Sequence, residues 1–236
     1  MTSSLNKVPK HIGIIIDGNR RFAKRLMLSP WKGHELGYEK VEKLFDWCKE
    51  LGIKELTLYA FSIENFDRPK LEFDYLMKLF KDGFNKLLNE DKEKIRDTCI
   101  NFIGRINMFP EDLQEVMYKL MDVTKDNIPF KINLAMAYGG RTEIIDATKK
   151  IAEQVKDNKL NINNINEEVF KNNLYLSSEP ELIIRTSESR LSGFLTFQSV
   201  YSELIFLPEI MWPEFEKETL IKCLEEYYKR ERRFGK

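Results

Sequence analysis

The chain has 236 residues, 42% of them hydrophobic and 12% aromatic. That is enough for one sizeable core and rules out a wholly disordered or collagen-like chain. Its 38 Lys and Arg balance 38 Asp and Glu, which excludes a global basic field and any nucleic-acid role resting on one. Two histidines exclude a His-rich metal site. Cys48, Cys99 and Cys223 stand far apart with no C-x-x-C, the pattern of reduced thiols in a cytosolic protein. The polar start and the lack of any long apolar run predict no targeting segment and no membrane span, leaving open peripheral contact with a membrane surface.

In chain order, Ile12 to Ile16 reads as a fully buried strand, three consecutive isoleucines without alternation. The segment from Gly18 leads into a helix. From Glu35 to Leu51 apolar residues recur at helical steps, and Gly52 follows as a stop. Leu56 to Phe61 is a second strand, and Leu71 to Ile95 a long helix with Leu76, Leu79, Phe80, Phe84, Leu87 and Leu88 inward. Ile100 to Ile103 is a strand, and Pro110 opens a helix to about Asn127. Ile132 to Tyr138 is a strand, followed by a helix from Arg141 to Lys156. Asp157 to Asn166 is an exposed loop, with a short helix through Phe170. Leu182 to Ile184 and Leu204 to Phe206 are the last strands, and Glu214 to Arg232 the closing helix. This alternation predicts a single α/β domain spanning residues 1–236, with a mostly parallel central sheet flanked by helices.

Ligands of open α/β sheets bind beyond the carboxyl ends of the strands. Those ends carry Asp17-Gly18-Asn19-Arg20-Arg21, Ser62 to Pro69 with Arg68, then Arg105, Gly139-Gly140-Arg141, and Arg185-Thr186-Ser187. Arginines thus gather on one rim of a chain without net charge, and guanidinium groups grip phosphate oxygens bidentately. A phosphorylated ligand follows. Each piece alone also has an ordinary reading: Asp17 as an N-cap, His34 as a structural histidine, Gly139-Gly140 as a turn. P-loop, dinucleotide-binding, nucleophile-elbow and H-E-x-x-H motifs are absent. Asp17 is the best-placed ligand for a hard metal, with Glu64 and Glu203 beside it as candidates, and one carboxylate aided by phosphate oxygens suits Mg²⁺.

His11 to Ala23, containing Ile16-Asp17-Gly18-Asn19-Arg20-Arg21-Phe22, resembles the first signature of the cis-prenyltransferases, the undecaprenyl and dehydrodolichyl diphosphate synthase family. Gly33-His34 with Gly37, Tyr59 to Pro69, and Ala137 to Arg141 match its next blocks. Ile184-Arg185-Thr186, Arg190 to Phe194, Tyr201-Ser202-Glu203-Leu204, Trp212-Pro213 and Arg232 to Gly235 continue the match in order.

The resemblance implies the undecaprenyl diphosphate synthase fold and Mg²⁺-dependent condensation of isopentenyl diphosphate with an allylic diphosphate, farnesyl or geranylgeranyl. The product would be the precursor of a polyprenyl lipid carrier. Asp17 would hold Mg²⁺, and Asn65 would help position the reacting groups. Gly18, Asn19, Arg20, Arg21, His34 and Arg68 would hold the allylic diphosphate, and Phe22, Ser62 and Glu64 would also bind substrate. Arg185, Arg190 and Ser192 would clamp isopentenyl diphosphate, completed by Arg233 and Gly235 across a homodimer interface, with Glu203 near the metal. Three departures stand out. Pro30 replaces a common arginine, the Thr186 to Ser189 stretch is shortened, and a bacterial metal-site histidine has no counterpart. They leave room for irregular prenyl transfer, head-to-middle or to a non-standard acceptor; a non-catalytic partner subunit is the remaining alternative. An apolar tunnel between the sheet and the Glu35 and Leu71 helices is expected, with Phe130 and Met136 narrowing it toward a shorter product.

Overall fold

A computed structural model describes residues 8–89 and 92–230. Six parallel strands form one sheet in the order β3-β4-β2-β1-β5-β6. The strands are β1 (His11–Ile15), β2 (Glu55–Ser62), β3 (Thr98–Ile103), β4 (Phe130–Tyr138), β5 (Leu182–Thr186) and β6 (Glu203–Leu207). Every residue of β1 and β5 is buried, as befits strands covered on both faces.

Side-chain alternation divides the core in two. Ile12, Ile14, Leu56, Leu58, Ile132, Leu134 and Leu182 share one face with α2 (Pro30–Glu50), α3 (Lys70–Asn89), α5 (Glu111–Thr124) and α8 (Lys217–Lys229). Ile15, Tyr59, Ala135 and Ile183 face the other way, against Leu176, Phe194 and Leu195. That second face also carries α6 (Gly140–Lys156), whose buried Glu143 accepts hydrogen bonds from Tyr138 and from Gln198.

The expected elements are present, with shifted ends. Pro30 at the first position lets α2 begin five residues before Glu35. The long helix stops at Asn89, and α4 (Lys92–Ile95) is a separate turn. The closing helix begins only at Lys217, after a 3-10 turn over Trp212–Glu214. Two further helices are short, α1 (Asn19–Arg25) and α7 (Glu167–Asn173). Cys48 and Cys223 are buried and all three cysteines are free thiols. Among the described residues no helix is long and apolar enough to cross a membrane.

Candidate active site

The carboxyl ends of β1, β2, β4 and β5 open on a cavity of about 650 Å³ lined by Asp17, Asn19, Ser62, Glu64, Asn65, Arg68, Arg141, Arg185 and Ser192. A second space of about 730 Å³ adjoins it, lined by Asp17 to Arg21, His34 and Arg68. From Asn19 and His34 an apolar tunnel runs beneath the sheet between α2 and α3, past Leu58, Ala60, Leu76 and Met136, toward Ile100 and Thr98. From the Thr98 level to the Ile16 level this is about six strand residues, or about 20 Å. The tunnel encloses about 120 Å³. Met136 lines it as expected, whereas Phe130 does not.

Topology explains why Asp17 and Arg185 meet although 168 residues separate them. Ile15 pairs with Arg185 across neighbouring strands, so the residue two past β1 lies beside the end of β5. Arg185 Nη2 donates to Asp17 Oδ2 at 2.9 Å, and Arg21 Nη2 lies 3.0 Å from Asp17 Oδ1. Burial pushes the Asp17 pKa up, but hydrogen bonds from Arg185 and Arg21 outweigh it and leave the carboxyl below its ordinary range. The Asp17 main chain is fixed as well: its N–H donates to Thr186 Oγ1, and its carbonyl accepts from Thr186 Oγ1 and the Trp212 N–H. Asp17 is therefore not an N-cap. That position belongs to Gly18, at φ +107°, where a Cβ would stand 2.2 Å from Ser187 Oγ.

Buried Arg185 also donates through Nη1 to Ser192 Oγ at 2.7 Å and to the Arg190 carbonyl. Ser192 holds a left-handed φ of +48° that aims its hydroxyl there. Behind His34 and Arg68, Glu72 in the first turn of α3 is buried and gathers three cationic or titratable groups. His34 Nε2 lies 3.0 Å from Glu72 Oε1, Arg68 Nη1 donates to the same oxygen, and Arg20 Nε lies 3.6 Å away. Burial dominates at His34 and lowers its pKa despite Glu72, with Arg68 adding to the fall. Arg68 and Arg185 each keep a buried Nε–H without a partner. Unpaired cationic donors facing a polar cavity are what an oxyanion ligand would satisfy.

Asn65 sits in the 3-10 turn Ile63–Asp67 after β2; its Oδ1 accepts the Ser62 N–H at 3.1 Å in a reciprocal capping box. The α1 turn reaches the site because α2 carries glycines where the two helices touch. A Cβ at Gly33 would stand 2.1 Å from the Asn19 carbonyl oxygen, and one at Gly37 would stand 2.3 Å from Asn19 Oδ1.

Several expected residues lie elsewhere. The Phe22 ring lines none of these spaces and packs under the Arg25 guanidinium. The Arg190 guanidinium turns outward to Glu188. Arg105 is held bidentately by Asp146 at 2.8 and 2.9 Å, so it adds no cation to the rim. Glu203 starts β6 level with Leu182, three residues below Arg185, and pairs with Arg230 at 3.0 Å; it does not join Asp17 within one chain. Arg233 and Gly235 lie outside the described residues.

A family model described as undecaprenyl diphosphate synthase matches residues 15–235. The chain belongs to the cis-prenyltransferase family. Similar proteins include a tritrans,polycis-undecaprenyl-diphosphate synthase (geranylgeranyl-diphosphate specific) from Methanopyrus kandleri, 44% identical over 98% of this chain and 86% of that protein. The protein of that same description from Pyrococcus furiosus is 43% identical over 97% of this chain and 88% of its own length. Among solved structures, lavandulyl diphosphate synthase from Lavandula x intermedia in complex with dimethylallyl diphosphate has a TM-score of 0.90. It is 33% identical, covering 97% of this chain and 99% of that one.

In this cis-prenyltransferase two further residues of the site were given no role by the resemblance. Glu72 stands four residues after Arg68, a spacing that in sequence reads as an ordinary helical ion pair. Arg141, in the first turn of α6, is exposed and lines the 650 Å³ cavity; its Gly-Gly-Arg setting is the signal that marks it.

Proposed function

We propose that the enzyme condenses isopentenyl diphosphate with geranylgeranyl diphosphate in a Mg²⁺-dependent reaction, lengthening a cis-polyprenyl diphosphate as a lipid-carrier precursor. The observation that carries this reading is the meeting of an arginine-ringed Asp17 with the mouth of an apolar tunnel. The relatives named geranylgeranyl-diphosphate specific support the choice of primer.

The residues fit Mg²⁺ as a shared ligand rather than a caged one. Among the described residues no group of three His, Cys, Asp or Glu could hold a metal. Mg²⁺ commonly takes one or two carboxylates plus substrate phosphates and waters, and Asp17 keeps a partly exposed side chain beside the cationic cavity. When bound, the ion supplies Lewis-acid neutralisation of the departing diphosphate.

The chain's own groups do the positioning. Arg20, Arg21, Arg68 and the neutral His34 would hold the allylic diphosphate with its tail in the tunnel. Arg185 and Ser192 would hold isopentenyl diphosphate across from it, and Asn65 sits between them. The allylic C–O bond breaks with its electron pair leaving on the diphosphate. The homoallylic double bond attacks the resulting cation, and loss of one proton fixes the new cis alkene. Convergent guanidinium groups offset the repulsion of two diphosphates and stabilise the charge that develops on the leaving group. A homodimer would bring the 231–236 segment of one copy to the other, and peripheral membrane contact would receive the product.

Head-to-middle transfer is a second reading, favoured by the likeness to lavandulyl diphosphate synthase. One experiment separates the two. Purified protein is given Mg²⁺, isopentenyl diphosphate and, separately, dimethylallyl, geranyl, farnesyl or geranylgeranyl diphosphate, with the label on either partner, and the dephosphorylated products are sized. A ladder strongest with geranylgeranyl diphosphate is expected. A single short branched product formed from the allylic diphosphate alone would establish head-to-middle transfer, and no product from either labelled substrate would overturn both.

A further inference from the structure

The segment from Asn19 to His34 contains Arg20, Arg21, Lys24, Arg25 and Lys32 and no carboxylate. It also carries the most exposed large apolar side chain among the described residues: Met27 is 94% exposed, flanked by exposed Leu26, Leu28 and Trp31. Across the cavity mouth Leu71 is 79% exposed, one turn before Tyr75, whose ring centroid lies 6.3 Å from that of Trp31. These side chains form one apolar patch rimmed by cations. Arg25 and Lys32 reach Glu214 and Glu35 yet stay about half exposed, and Lys24 makes no ion pair among the described residues.

The Met27 backbone adds an independent observation. Its N–H donates to the Lys24 carbonyl at 3.1 Å, and the Leu28 N–H donates to the Ala23 carbonyl at 2.9 Å, closing α1 in a Schellman motif. Met27 therefore sits at φ +56°, the position glycine usually takes, where any side chain crowds the backbone. A methionine that neither suits its backbone nor packs against the protein is not explained by the stability of the fold.

We propose that this patch docks the enzyme on an anionic lipid bilayer. Leu26, Met27, Leu28, Trp31 and Leu71 would enter the headgroup boundary, while Lys24, Arg25 and Lys32 meet anionic headgroups. Charge argues against a second copy as the occupant, since a two-fold contact would set this cationic segment against itself. Met27, Leu28 and Pro30 also line the 730 Å³ space with Arg20, Arg21 and Arg68. A prenyl diphosphate dissolved in the bilayer would pass from the surface to the arginines without crossing water. That use of the surface rests on the prenyl-transfer reading; the contact itself does not.

Flotation with vesicles of phosphatidylcholine alone, or mixed with phosphatidylglycerol, tests the proposal without substrate present. Wild-type protein should bind mixed vesicles at least about tenfold more tightly than neutral ones, with affinity falling as salt rises. Lys24→Ala should weaken binding about fivefold, at the usual value per basic residue near such a surface. Met27→Gly and Leu71→Ser should each weaken it about three- to tenfold, and Met27→Gly should unfold at the same temperature or higher. Unchanged binding in both apolar variants, or equal wild-type binding to both vesicle types, overturns the proposal. So does self-association that Met27→Gly abolishes in a protein that never floats. A protein that floats as expected but transfers no prenyl group supports the docking surface and overturns the activity.

Discussion

Two carboxylates organise the cations of this site, and each draws in a pair of arginines, yet they are built differently. Asp17 splits its oxygens between Arg21 and Arg185 and keeps 32% of its side chain exposed. Glu72 concentrates His34, Arg68 and Arg20 on one oxygen and keeps only 6% exposed. The exposed acid can trade an arginine for a cation or a ligand-borne charge. The buried one cannot leave its partners without stranding a charge in the interior. The contrast fits Asp17 to the chemistry proposed above and Glu72 to holding His34, Arg68 and Arg20 in place.

Asp17→Ala breaks this contrast most severely. Turnover should fall about a thousandfold or more, in line with removing a group that stabilises developing charge, as read by labelled isopentenyl diphosphate incorporation at saturating Mg²⁺. Activity near wild type would remove Asp17 from the chemistry. Arg185→Ala should cost about ten- to a hundredfold in kcat/KM, since a charged hydrogen bond contributes about 1.5–3 kcal/mol. Glu72→Gln sharpens the comparison through a split readout: KM for the allylic substrate should rise about tenfold, with kcat falling less. Equal losses in both would give Glu72 a role in the transition state.

The smallest effect is on pH dependence. Burial leads the causes that hold both His11 and His34 below the ordinary 6.5 in the folded protein. Between that value and the folded pKa the unfolded chain binds more protons, so stability falls as pH drops below 6.5. Glu72 has the carboxylate form of the same linkage. Its folded pKa lies below 4.5 because hydrogen bonds from His34 and Arg68 outweigh burial, and its contribution persists until pH falls through that depressed value. Thermal unfolding should show His34→Gln losing part of the acid sensitivity just below 6.5, with the His11 part remaining. An unchanged pH profile would mean that His34 titrates alike in both states.

Much of this arrangement can be read from the chain itself. A run of isoleucines ending at Asp17, and a buried strand ending at Arg185, suffice once parallel pairing places both carboxyl ends on one rim. Charge type alone misleads at that rim. Arg105 and Arg190 have the same chemistry as Arg68, but Asp146 and Glu188 hold them away from the cavity. Glu72 escapes notice because its spacing from Arg68 fits a solvated helix surface, and only the seating of α3 against His34 buries it. The tunnel is hidden for another reason. Its walls are Leu, Phe, Ile and Met like any core, and the space between them depends on how volumes fill rather than on residue type.

Trp212 ties together parts of the chain that are far apart in sequence. Its main-chain N–H holds the Asp17 carbonyl at 2.9 Å, and its buried indole N–H holds the Gly37 carbonyl at 2.9 Å. The loop bearing Asp17 and the helix backing it are thus pinned by a residue translated nearly two hundred codons after that aspartate. A nascent chain stalled before that point would carry nearly every residue of the pocket and still lack its geometry. Competence of the pocket therefore waits on the folding of the Trp212 turn, whatever the order in which the strands pair.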